Sequence, residues 1–175
     1  MQIVSKLITL DLDYSHPDSH AYQQQRYYVS PWQGESAHHF AKRLLMFLSL
    51  YEQHPGFAVT QSHGKTPDIF VKDTQQQVRI WCQLEPIAAK RLQRASHLAA
   101  EVLLVLDEQE AAQCSVMTAA NQRTFVLHQS QLDAFCLMLK SHMRLSVFRE
   151  DPLLQITDGQ YVMQLNLTTL LDKPH

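Results

Sequence analysis

The chain has 175 residues, of which 45% are hydrophobic and 18% are charged, as is typical of a soluble globular protein. Its 15 basic and 17 acidic side chains give a formal net charge of −2, which argues against a strongly basic nucleic-acid-binding protein but leaves room for a local basic groove. Four glycines and three widely spaced cysteines without a CxxC pair argue against a glycine-rich phosphate loop, a disulfide framework and a zinc ribbon. We therefore predict one domain spanning residues 1–175.

The N-terminal residues lack the basic segment, long apolar stretch and small-residue cleavage site of a signal peptide. The longest apolar runs, at 44–51 and 102–106, are far shorter than the ~20 residues of a membrane-spanning helix. We expect a cytoplasmic protein with reduced thiols and no membrane partner.

The first third of the chain predicts a β-hairpin followed by a long helix. β-branched and aromatic residues at 2–12 and 22–30 indicate two strands, and residues 15–19 form the turn between them. A helix is predicted from Glu35 to Gln53, because its apolar residues recur every three or four positions. They are Phe40, Leu44, Phe47, Leu48 and Tyr51.

Two strands are predicted next, at 68–72 and 77–85. The second alternates, since Val78, Ile80, Cys82 and Leu84 share one face. This pattern predicts that these four residues lie in the core and that the opposite face is polar. That opposite face holds Gln77, Arg79, Trp81, Gln83 and Glu85.

The remainder alternates between helices and strands. Helices are predicted at 88–100, 108–119 and 130–142, and the near-continuous apolar run 101–106 predicts a strand buried on both faces of a parallel sheet. Three further strands, at 144–148, 153–157 and 161–167, end the chain, and one more is predicted at 124–127. The fold class is therefore mixed α/β.

Acidic and amide side chains mark one candidate site. Asp68 begins the first of the two middle strands, while Gln83 and Glu85 lie two residues apart on the second. Carboxylate oxygens that converge in this way are ligands for a hard cation such as Mg²⁺. The alternative is that Asp68 caps a turn and Glu85 is a solvated strand end.

Basic side chains follow this site. Lys90, Arg91 and Arg94 lie on the predicted helix 88–100 and suit contact with phosphate, or alternatively form a solvated helix face. The ten histidines show no metal-ligand spacing and are interpreted as structural or surface residues. Cys82, on an apolar strand face, is interpreted as inert.

Five segments, taken in order, resemble the YaeQ family of small bacterial proteins over nearly the whole chain. They are GESAHHFAKRLLMFL, TPDIFVKD, VRIWCQLEPIAAKRLQRA, AAEVLLVL and LQITDGQYVMQLNLTTL. The resemblance implies a PD-(D/E)XK, restriction-endonuclease-like fold. In such a fold a mixed central sheet is flanked by helices, and here the N- and C-terminal strands would form an additional β layer or an extension.

The resemblance also implies site residues. Asp68 matches the Asp after Pro, and Glu35 matches an acidic position at the start of the first helix. Gln83 stands where the family usually has Glu. Glu85 stands where the family usually has Gly and where active nucleases have Lys. Lys90, with Arg91 after it, matches a basic position of the following helix. The site is therefore a degenerate version of the pattern.

Three functions remain open at this point. The first is a nuclease-like protein with a degenerate site that binds nucleic acid or protein. The second is a Mg²⁺-dependent phosphodiesterase, in which Asp68, Glu85 and Glu35 hold the metal, Gln83 orients water and Lys90 steadies the phosphate. The third is a protein-interaction scaffold without chemistry.

Overall fold

A computed structural model describes residues 6–114 and 119–172. Two compact units divide the chain. The first combines the N-terminal residues up to Ala41 with Ser130–Leu171, and the second combines Lys42–Gln129 with Asp172. The first unit is thus built from two separate segments, and most of the second unit lies between them in the sequence. Whether the two units fold as one domain stays a prediction.

The first unit contains a five-stranded sheet with the order β10-β9-β8-β1-β2. The strands are β1 (Ile8–His16), β2 (Ala21–Val29), β8 (His142–Glu150), β9 (Leu153–Thr157) and β10 (Val162–Asn166). β1 and β2 form the expected antiparallel hairpin, and β8 joins β1 in parallel. One face of the sheet is core, since Leu10, Tyr14 and Leu145 are buried there. The predicted additional layer of terminal strands is thus a separate sheet.

The second unit contains another five-stranded sheet, with the order β3-β4-β5-β6-β7. Its strands are β3 (Gly56–Phe57), β4 (Ile69–Lys72), β5 (Val78–Gln83), β6 (Glu101–Asp107) and β7 (Gln122–Leu127). β3, β4 and β5 pair antiparallel, whereas β5, β6 and β7 pair in parallel. The sheet is therefore mixed. β6 is buried along its length, as its apolar run predicts.

Five α-helices complete the described chain. They are α1 (Ala37–Ser49), α2 (Ala89–Leu98), α3 (Glu108–Gln113), α4 (Gln129–Cys136) and α5 (Thr168–Leu171). None of the helices within residues 6–114 and 119–172 is long and apolar enough to cross a bilayer.

Three expectations need correction. The helix predicted at 130–142 ends at Cys136, and β8 already begins at His142. The helix predicted at 35–53 ends at Ser49, and residues 51–53 form a separate short 3₁₀ turn. The helix predicted at 108–119 ends at Gln113, while residues 115–118, like residues 2–5 of the first predicted strand, lie outside the described chain.

The predicted polar face of β5 is also wrong. Trp81 and Gln83 are as buried as Ile80 and Cys82 on the opposite face. Trp81 packs with the apolar side of α2, in a cluster with Leu92, Ala95, Ala99 and Val102. Because β5 lies between β4 and β6 and is covered on both faces, alternation of its polar residues does not indicate exposure.

Candidate functional site

Asp68 lies immediately before β4, and its side chain is fully buried. Its Oδ2 accepts hydrogen bonds from Gln83 Nε2 at 3.0 Å and from the Leu84 backbone N–H at 2.9 Å. The Asp68 backbone N–H in turn donates to the Cys82 carbonyl at 3.0 Å. Two hydrogen bonds therefore fix the Asp68 carboxylate to the end of β5, and a third fixes the Asp68 backbone there.

Gln83 is the last residue of β5 and is completely buried. Its amide donates to Asp68, while its Oε1 accepts from the indole N–H of Trp81 at 3.2 Å. A glutamine satisfies both neighbours because it carries a donor and an acceptor, whereas an ionised glutamate is only an acceptor. Glutamate here would also place two carboxylates against each other without water between them. The neutral residue at position 83 is thus matched to its surroundings.

Glu85 lies beyond the end of β5, which the sequence pattern had extended to this residue. Its half-buried carboxylate accepts from His63 Nδ1 at 3.0 Å. His63 belongs to the loop that precedes β4 and has an exposed side chain. Glu85 is therefore held by a surface hydrogen bond to that loop rather than on a strand face beside Gln83.

Lys42 is a buried cation that sequence analysis did not single out. Its Nζ donates to the Leu84 carbonyl at 3.1 Å and also contacts the carboxylate of Glu110. Glu110 simultaneously caps α3, because its Oε1 accepts from the Asp107 backbone N–H. The Leu84 backbone thus links the two side chains, because its C=O accepts from Lys42 and its N–H donates to Asp68. The sequence feature that could have identified Lys42 is the Lys42-Arg43 pair, which interrupts an otherwise apolar helical segment.

Glu35 belongs to the first unit and lies two residues before α1, which begins at Ala37 rather than at Glu35 as predicted. Its side chain is fully buried and accepts from the Trp32 backbone N–H at 3.0 Å, and its other oxygen contacts His39 Nδ1. The ring of Trp32 lies 5.7 Å from the ring of His39. These contacts with Trp32 and His39 show that Glu35 stabilises the N-terminal end of α1. They do not by themselves give Glu35 a role in metal binding.

The predicted basic residues form a continuous surface with the loop before β4. We define the α2 basic face as Lys65, Lys90, Arg91 and Arg94. Arg91 donates to the His63 carbonyl at 2.7 Å, and Arg94 donates to the Lys65 carbonyl at 3.3 Å. Both arginines thereby attach the loop to α2.

Gly64 allows the loop to take this path. Its φ is +95°, and an added Cβ would lie 2.9 Å from the Ile87 side chain. Only glycine takes this conformation at little cost. The backbone conformation at Gly64 leads directly into Lys65, whose carbonyl is bound by Arg94 of α2. The side chains of Lys65 and Lys90 are exposed and project from this face.

The predicted Mg²⁺ ligands Asp68 and Glu85 are each already engaged by another group of the protein. Mg²⁺ requires octahedral oxygen coordination and usually retains several water molecules. Asp68 is fully buried with one oxygen already accepting two N–H groups, and Glu85 is paired with His63. Across residues 6–114 and 119–172, no group of three or more His, Cys, Asp or Glu side chains is arranged to hold a metal.

The position of Cys82 agrees with its predicted place in the core. The thiol is fully buried on the apolar face of β5. Burial, together with the nearby negative charge of Asp68, raises the pKa of the Cys82 thiol well above its usual range. Since the thiolate is the reactive form, the thiol is suppressed as a nucleophile.

Known proteins resemble this chain in sequence pattern and in fold. Crystal structures of the YaeQ proteins from Xanthomonas axonopodis pv. citri and Pseudomonas syringae superpose on it with TM-scores of 0.80 and 0.82, at 18% and 16% identity. The alignments cover 93% of this chain and 96% of the first protein, and 98% of both chains for the second. No curated protein matches by sequence. Because the family model for YaeQ protein matches residues 1–167, the chain belongs to the YaeQ family.

Proposed function

We propose that this protein is a restriction-endonuclease-like module with a degenerate PD-(D/E)XK site, and that it binds nucleic acid through the α2 basic face. The observation that carries the proposal is local charge. α2 contains two arginines, a lysine and a histidine but no acidic residue, and the attached loop adds Lys65. In a slightly acidic protein, a group of four Lys and Arg side chains on one surface provides a local basic patch of the kind that binds a polyanion.

The site beside this face supports binding rather than cleavage. Phosphodiester hydrolysis on this fold needs carboxylates around a metal and a cation at the scissile phosphate. Here the Asp68 carboxylate is engaged by the Gln83 amide, and the Glu85 carboxylate is engaged by His63. Lys42, a cation that donates to the Leu84 carbonyl of this network, is itself paired with Glu110. These groups stabilise the ends of β4 and β5.

Lys65 and Lys90 suit phosphate contact better than the two arginines do. The arginines already donate to loop carbonyls, so changing them would also release the loop. The side chains of both lysines are exposed, and within the described residues their ammonium groups make no hydrogen bond or ion pair. Replacing the lysines therefore removes charge without disturbing the fold.

The test is a salt titration of binding to labelled single- and double-stranded DNA and RNA, followed by fluorescence anisotropy. Each lysine that neutralises a phosphate of duplex DNA contributes about 0.9 to the slope of log K against log salt. The double variant Lys65→Gln/Lys90→Gln should weaken binding and reduce that slope by about 1.8. Lys72→Gln/Lys140→Gln, which removes the same charge elsewhere, is the matched control and should bind as the wild type does.

The other outcomes separate the alternatives. Absence of salt-dependent binding to any of the four nucleic acids would contradict the proposal and favour a protein-interaction scaffold. Mg²⁺- or Mn²⁺-dependent cleavage by the wild-type protein, abolished by Asp68→Ala but retained by Glu85→Ala, would instead establish a phosphodiesterase centred on Asp68.

A further inference from the structure

Strand β2 forms one edge of the sheet in the first unit. It is nine residues long, pairs with β1 over its whole length, and has no second neighbour among the described strands. Its residues are exposed from Tyr22 to Arg26 on both faces. The backbone groups on the outer side of β2 are therefore available to another strand, in contrast to the five-residue strand β10 at the opposite edge.

β2 lacks the features that usually protect an edge strand. Proteins blunt such edges with proline, lysine, bulges or very short strands. The sequence AYQQQRYYV contains none of these residues, and its register with β1 runs without a shift. Its one charge, Arg26, is already paired with Asp11 at 2.7 Å on the same sheet. Tyr22 and Tyr28 are nevertheless 65% and 63% exposed, which leaves aromatic surface uncovered at this edge.

The strand is complementary to itself when reversed. Antiparallel pairing of all nine residues, Ala21–Val29, with a second copy places Gln25 on the twofold axis. Tyr22 then lies opposite Tyr28 of the other copy, and Gln24 lies opposite Arg26. Aromatic pairs and amide–guanidinium hydrogen bonds stabilise strand pairing, while like charges placed opposite one another destabilise it. This register makes two pairs of each favourable kind and keeps the two Arg26 side chains apart.

We propose that the β2 edge is a homodimerisation surface, through which two copies of this chain join their sheets into one continuous ten-stranded sheet. The contact is isologous, since the same strand is used by both copies. A single strand edge is smaller than the ~1,600 Å² of a standard stable interface. We therefore expect a reversible dimer that forms at micromolar concentrations. This inference is independent of nucleic-acid binding, which involves the other unit.

The position of Gln25 on the axis allows a charge-swap experiment on the full-length protein. Gln25→Lys places two lysines opposite each other, and Gln25→Glu places two glutamates opposite each other. Each variant alone should dimerise at least tenfold more weakly than the wild type in sedimentation velocity runs from 1 to 200 µM. An equimolar mixture of the two variants should recover a dimer that native mass spectrometry identifies as the heterodimer.

Gln155→Lys is the matched control, because Gln155 is an exposed glutamine of β9, inside the same sheet. It should leave the monomer–dimer equilibrium unchanged. Circular dichroism and thermal midpoints establish that the three variants are folded. A wild-type protein that remains monomeric at 200 µM would overturn the proposal. A dimer that Gln25→Lys does not weaken, or that the mixture of charge variants does not restore, would overturn it as well.

Discussion

At the scale of single residues, Asp68 is held by interactions that stabilise the fold. Asp68→Ala would leave the Gln83 amide and the Leu84 N–H without their acceptor in a buried site. Each unsatisfied buried donor costs about 1–3 kcal/mol. We expect a corresponding loss in the free energy of unfolding, measured by urea denaturation. Glu85→Ala, which breaks a surface hydrogen bond with His63, should cost less than about 1 kcal/mol. Equal losses for the two variants would contradict this view of Asp68.

The burial of Cys82 predicts its chemical behaviour. Its pKa is raised by burial and by Asp68, so the thiol should resist alkylation by iodoacetamide in the native protein and react only after unfolding. Cys114 and Cys136, which are partly exposed, serve as internal references. Peptide mass spectrometry after timed labelling measures all three sites. Cys82→Ser should in addition destabilise the protein by roughly 1–3 kcal/mol if its hydroxyl finds no partner.

Asp11 makes the stability of the first unit depend on pH. Hydrogen bonds from Arg26 and then His142 hold the pKa of Asp11 well below its usual range. A carboxyl whose pKa is lowered by folding stabilises the native state above its unfolded pKa of about 3.9, and this contribution is lost as the pH falls below that value. Asp11→Asn should therefore be less stable than the wild type at pH 7, and the difference should shrink below about pH 4.

Urea denaturation of both proteins at pH 7, 5 and 3 measures this dependence. A difference in stability that stays constant over the three pH values would show that the ion pair is not its cause. Arg26→Gln removes the other partner, so the effects of Arg26→Gln and Asp11→Asn at pH 7 should not be additive.

At the scale of secondary structure, the periodicity of apolar residues correctly predicted the helices and strands that have a simple pattern of burial. The hairpin, α1 and β6 were confirmed in kind, because alternation and a 3.6-residue period follow directly from burial on one side. The faces of β5 were not predictable in this way. Trp81 and Gln83 look like an exposed polar face in the sequence, yet they hydrogen-bond to each other inside the protein. Polar residues that satisfy one another in the core leave no hydrophobic signature.

The candidate site shows the same limit. The sequence identified Asp68 and Gln83, which do meet, because the residues at the facing ends of two neighbouring strands are close together. It did not identify Lys42 or His63. Lys42 comes from a helix and His63 from a loop, and their contacts with Leu84 and Glu85 depend on tertiary packing over separations of 42 and 22 residues. Such contacts have no period in the sequence.

At the scale of the whole molecule, thermal stability reports whether the acidic site holds a metal. A ligand that binds only the native state raises stability by RT ln(1 + [L]/Kd), about 2.7 kcal/mol at a hundred times Kd. Because Asp68 and Glu85 are engaged by Gln83 and His63, addition of Mg²⁺ or Mn²⁺ should leave the melting temperature of the wild-type protein unchanged.

Restoring the nuclease pattern should change this result. In Gln83→Glu/Glu85→Lys, a second carboxylate faces Asp68 and repels it unless a cation is bound, while the new lysine supplies the positive charge that a scissile phosphate requires. The double variant should be less stable than the wild type without metal, and Mn²⁺ should raise its melting temperature in a concentration-dependent way. Adding Asp68→Ala should abolish that metal response. Differential scanning calorimetry with and without Mn²⁺ measures these melting temperatures. If Mn²⁺ stabilises the wild-type protein as strongly as the double variant, the native site is not degenerate.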